Sequence, residues 1–74
     1  MKVTVSGVVV ETSVFYSDKR KRDIGVVTLY SDGYTVKIFD FPLESLDSFI
    51  LYKNVDILCR IFEGKKGIGF SYAK

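Results

Sequence analysis

Eleven lysines and arginines occur in this chain of 74 residues, and four of them are consecutive: Lys19, Arg20, Lys21 and Arg22. A second pair, Lys65-Lys66, stands between Gly64 and Gly67. The chain also carries six Phe and five Tyr, more rings than a small core easily encloses, so some of them face outward. Cations that follow phosphates and rings that stack on unpaired bases are the chemistry single-stranded nucleic acid calls for, since every base offers a π-face. Lys37, Arg60, Lys65 and Lys66 join Lys19–Arg22 as candidate backbone contacts. Tyr16, Tyr30, Phe39 and Phe62 are the candidate stacking platforms, with Thr28 on the same face as Tyr30 and Phe39, and Tyr34 next to the Asp32-Gly33 turn as a ligand or partner contact. A guanidinium can stack on a base while it bonds a phosphate, which puts Arg20, Arg22 and Arg60 ahead of the lysines for close contact.

Each choice has a plainer explanation. A cationic run is as often a solvated loop, and Asp18 and Asp23 partly neutralise this one. Tyr30 and Phe39 suit a subunit contact or a rim as well as a base, and Lys37 between them shifts the reading toward binding. Phe15, Phe41, Phe49 and Phe70 are assigned to the core, Tyr52 to the exit of a helix, and Cys59 to a small buried hydrophobe. Asp40 and Glu44 read as helix-start residues rather than an acid-base pair.

The chemistry of catalysis is poorly supplied. With one cysteine and no histidine, neither an internal disulfide, a Cys/His metal site nor the usual general base is available, so no enzyme, metal or cofactor is expected. Net charge is only +2, with acid gathered in Asp40, Glu44 and Asp47. The length allows one small domain over residues 1–74, and the 47% apolar, 27% charged composition is that of a globular chain. No apolar run approaches the roughly 18 residues of a membrane span, and the start Met1-Lys2-Val3-Thr4-Val5 lacks a secretory h-region, so a soluble, cytoplasmic protein without membrane contact is expected.

The elements that must position these residues read as strands. Val3 to Phe15 is rich in β-branched residues and too long for one flat strand, with a bulge or bend expected at Gly7. Asp18 to Asp23 forms a charged loop. Ile24–Tyr30 and Tyr34–Phe39 flank Asp32-Gly33, a strong hairpin signal that sets Ser31 opposite Tyr34, Tyr30 opposite Thr35 and Leu29 opposite Val36. That register makes Val27, Leu29, Val36 and Ile38 one apolar face. Val26, Thr28, Tyr30, Thr35, Lys37 and Phe39 make the other, mixed face.

Leu43, Leu46, Phe49 and Ile50 recur at helical spacing behind Pro42, which predicts one short helix with Pro42 at its first position. Val55–Phe62 and Ile68–Tyr72 form a last hairpin, with Val55, Ile57, Cys59 and Ile61 facing inward. The order is β-β-β-α-β-β, an all-β chain with one short helix.

That order, with a long bent first strand and a basic loop before the second, resembles the OB-fold, which implies a five-stranded, partly open barrel. Tyr30-Ser31-Asp32-Gly33-Tyr34-Thr35-Val36-Lys37-Ile38 after a basic loop, and the closing Gly64-Lys65-Lys66-Gly67 hairpin, resemble the small single-stranded-DNA-binding proteins of filamentous phages and related mobile elements. The resemblance implies a homodimer that coats single-stranded DNA without sequence preference. Lys66-Gly67-Ile68-Gly69-Phe70 is also similar to a cold-shock segment, but that segment belongs on a second strand and this one on the last. Sequence-tolerant binding of single-stranded nucleic acid, DNA favoured over RNA, is therefore expected, with no small-molecule substrate. A protein-interaction or oligomerisation module using the same rings is the alternative. A homodimer is also expected because a core of this size is small.

Overall fold

The computed structural model describes residues 1–64 and 67–73. Five strands in one sheet and a single 3₁₀ helix account for most of them. They are β1 (Lys2–Ser17), β2 (Arg22–Ser31), β3 (Tyr34–Phe41), the 3₁₀ helix (Leu43–Ser48), β4 (Asn54–Gly64) and β5 (Gly67–Tyr72). The strand order is β1-β2-β3-β5-β4, and β4 pairs back onto β1, so the ring of pairings closes. All neighbours are antiparallel except β3 and β5, which run parallel through Ile38↔Phe70 and Phe39↔Ser71.

The length of β1 is explained by its two partners. Lys2–Val8 pairs with β4, and Val8–Ser17 with β2. The register shift falls between Val9 and Glu11, not at Gly7. There the Val9 N–H donates to the Lys53 carbonyl (3.0 Å) and the Val9 carbonyl accepts from the Tyr52 N–H (2.7 Å), so the chain leaving the 3₁₀ helix continues the edge where β4 stops. Gly7 instead permits a close approach of two strands, since a Cβ on it would lie 2.7 Å from the Tyr30 carbonyl oxygen.

The Asp32-Gly33 hairpin has the expected register in each of the three pairs. Both turn residues have positive φ, 50° and 86°, as a type I′ turn requires. Farther along, Val27 faces Ile38 but Gly25 faces Phe41, so Phe39 and Asp40 together oppose Val26 alone. This two-on-one bulge places Asp40 at φ 70° and returns Phe41 to the core.

Val9, Val27, Leu29, Ile38, Phe41, Ile57 and Cys59 form the buried core. Phe41 stacks on Tyr72 with centroids 4.6 Å apart and meets Phe49 edge-on at 5.2 Å. The helix is shorter and tighter than its apolar spacing predicts: Pro42 is its N-cap residue, Leu46 and Phe49 pack on the core, and Leu43 and Ile50 stay exposed. The helix ends at Ser48, so Phe49 and Ile50 lie beyond it, with Phe49 in extended backbone, where neighbouring side chains point to opposite sides: Phe49 turns inward and Ile50 turns out.

Two further expectations are corrected. Phe15 is 53% exposed, because β1 beyond Val9 has left β4 and, among the described residues, is held by β2 alone. Ile61 is exposed for a similar reason: strand pairing of β4 with β1 ends at Arg60, the Ile61 N–H reaches just the Met1 carbonyl at the chain's start (3.4 Å), and among the described residues β5 alone accompanies β4 farther. Both hairpins thus project beyond the core, and the space between them holds the candidate site.

Candidate nucleic-acid interface

A groove of about 740 Å³ runs between the β1–β2 turn and the β4–β5 hairpin across the outer face of β3 and β5. Lys19 and Arg20 line one side, Glu63, Gly64 and Gly67 the other, and Phe39, Phe62, Gly69 and Ser71 the floor. The alternation of β3 carries Lys37 and Phe39 outward, and the β4 alternation does the same for Arg60 and Phe62. Ser71 of β5 links the two sets, being paired with Phe39 on one side and Arg60 on the other.

The two phenylalanines meet edge to face, with ring centroids 6.5 Å apart and planes at 69°. Gly69 makes this contact possible. It pairs with Phe62 across β4 and β5, and a Cβ on it would lie 2.5–3.0 Å from three Phe62 ring atoms. The ring therefore occupies the space above β5 that a side chain would fill, and it leans toward Phe39. The Gly-flanked segment around Ile68 thus serves ring placement.

The basic run divides. Arg20 points along the groove, and its guanidinium bonds the Asp40 carboxylate at 2.9 Å. Lys21 adopts φ 54° inside the turn and Arg22 has already entered β2, where it lines a smaller cleft with Asp23, Pro42 and Glu44. Only Lys19 and Arg20 of the four line the main groove. Asp40, read from sequence as a helix-start residue, instead sits in the β3 bulge as the partner of Arg20. The positive φ there and the bulge itself depend on pairing with β2, for which the local sequence carries no signal.

Thr28 is not on the exposed surface expected of it. It is 6% exposed and flanked across the sheet by the longer side chains of Glu11 and Lys37, and its Oγ1 has no hydrogen-bond partner among the described residues. Val26, expected on the same outward face, is buried too. Short side chains on a strand paired along both edges are overtopped by longer neighbours. Tyr30 and Lys37 are exposed and continue the face away from Phe39. Tyr34 is 75% exposed but shares its side of β3 with Val36 and Ile38, so it lies apart from the groove. Tyr16 is exposed on β1 opposite Asp23. Lys65 and Lys66 lie outside the described residues. The groove also gathers Ile24, Asp40, Glu63, Gly69 and Ser71, which sequence reasoning does not place in a site. Of these Gly69 alone has a sequence signal, a glycine inside a strand.

The described residues contain no group of His, Cys, Asp and Glu that could hold a metal ion, and no helix long and apolar enough to cross a membrane. Cys59 is fully buried, and burial pushes its thiol pKa up from the ordinary value. The chain matches no protein-family model, no curated protein and no solved structure.

Proposed function

We propose that this chain is an OB-fold-like barrel that binds single-stranded nucleic acid without sequence preference, using the groove between its β1–β2 turn and β4–β5 hairpin. The OB-fold binds oligonucleotides on the face of its second and third strands and in the loops between strands one and two and strands four and five. The carrying observation is the Phe39–Phe62 pair on the groove floor beside Lys19 and Arg20. Bases stack on the rings, each worth about 1–3 kcal/mol, while Lys19, Arg20, Lys37 and Arg60 follow the phosphates. Neither step requires a cofactor or a bond-making residue, so the activity is binding alone. DNA is favoured over RNA on the strength of the resemblance to the filamentous-phage proteins, and a homodimer is part of the same reading.

Interaction with another protein is the second reading. It is favoured by the acids Asp40 and Glu63, which balance Lys19 and Arg20 along the groove. Anisotropy titration of labelled oligo-dT at two salt concentrations separates the two. Binding that weakens with salt, at a logarithmic slope of roughly −0.7 per neutralised phosphate, supports the nucleic-acid reading. Absence of binding at low salt gives preference to the second.

A further inference from the structure

Among the described residues, the strand β1 beyond Val9 has one neighbour, β2. Glu11–Ser17 pairs with β2 along one edge, and among the described residues no backbone group is bonded to the other edge. Natural sheets blunt such edges with lysine, proline or a covering segment. Here the stretch Thr12-Ser13-Val14-Phe15-Tyr16-Ser17 has no charge, no proline and no glycine. Val14, Phe15 and Tyr16 are 58%, 53% and 54% exposed, so both faces of this ribbon present apolar surface as well as unpaired backbone.

The geometry points to a second copy of this chain as the occupant, added antiparallel along the same edge so that the sheet runs on across a two-fold axis. This rests on the dimer part of the proposed function and is independent of the nucleic-acid part. An uncharged, β-branched and aromatic segment suits its own copy, because self-pairing brings no like charges together. Pairs alternate in type along an antiparallel ladder, so a two-fold axis requires one residue to face its own copy.

With Phe15 facing the partner's Phe15, Val14 lies against Tyr16, Ser13 against Ser17, and Glu11 toward Lys19 at each end. Rings then pair at the centre and opposite charges at the rims. Centring on Val14 instead would set Glu11 against Ser17 and lose both end pairs, so the Phe15 register is selected.

The test uses the register. Phe15→Lys and Phe15→Glu each place like charges face to face, whereas an equimolar mixture places Lys opposite Glu. Sedimentation velocity at roughly tens of micromolar, a concentration that reveals weak association, should show a dimer for the parent. It should show at least a tenfold weaker dimer for either variant alone, and recovery on mixing. Phe15→Cys should cross-link to itself on oxidation, because directly opposed residues lie within disulfide reach and Cys59 is buried.

A monomeric parent would overturn both the edge and the dimer. Variants that dimerise like the parent, or fail to recover on mixing while their melting stays cooperative, would overturn the edge. The nucleic-acid reading is judged on oligo-dT titration of the parent, so its failure leaves the mixing result unaffected.

Discussion

The ring of Phe62 lies over Gly69, its cross-strand neighbour, in the space a Cβ would otherwise take. This makes one of the two floor rings adjustable without being removed. Gly69→Ala should push the Phe62 ring off β5, since the clash is with the movable end of a side chain and not with backbone. The expected result is an oligo-dT affinity lowered by up to the roughly 1–3 kcal/mol that Phe62→Ala removes, with nearly unchanged melting. Anisotropy and thermal denaturation of both variants check it.

Arg20, its side chain half exposed, is held at 2.9 Å by Asp40, whose side chain is 18% exposed; an ion pair open to solvent on one side contributes little to stability. A phosphate must compete with that carboxylate. Asp40→Asn should therefore tighten binding and steepen its salt dependence, and asparagine tolerates the positive φ at this position. Arg20→Ala should weaken binding and flatten the slope by about 0.7. Titrations at several salt concentrations report both.

The hairpin register is legible in the sequence because Asp32-Gly33 states its own turn chemistry, and the core face Val27, Leu29 and Ile38 follows from it. Less legible is whatever depends on partners remote in sequence. The bulge at Asp40 arises from pairing with β2, and the exposure of Phe15 and Ile61 from where β4 stops. The stacking pair is half legible: alternation turns Phe39 and Phe62 outward, but only the β3–β5 parallel pairing brings them together. The cationic run misleads most, since four like residues in a tight turn cannot all point one way.

Gly7 should be among the least replaceable surface-accessible positions. A Cβ there meets the Tyr30 carbonyl and Leu29 Cβ, both fixed within the sheet. Gly7→Ala should lower stability by about 1–3 kcal/mol, the range for forcing extra atoms into packed structure, whereas Gly33→Ala meets nothing and should cost about 1 kcal/mol for its positive φ. Urea unfolding of the two variants compares them.

Cys59 links stability to alkaline pH. Burial raises its folded pKa, so the native thiol keeps its proton where the unfolded thiol, with an ordinary pKa of 9.0, releases it. Stability should be unaffected by this group below that value and fall as pH rises above it, toward the folded pKa. Urea unfolding near pH 8 and above pH 9 should show a larger loss for the parent chain than for Cys59→Ala.

Occupation of the groove floored by Phe39 and Phe62 by single-stranded DNA is the central claim of the proposed function. Backbone amide chemical shifts of ¹⁵N-labelled protein, followed while oligo-dT of about 16 nucleotides is added, test it most directly. The expected result is progressive movement at Lys19, Arg20, Phe39, Phe62, Gly69 and Ser71, with the 3₁₀ helix Leu43–Ser48 unmoved. A spectrum that does not change, or that changes at the helix while the groove stays still, would contradict it.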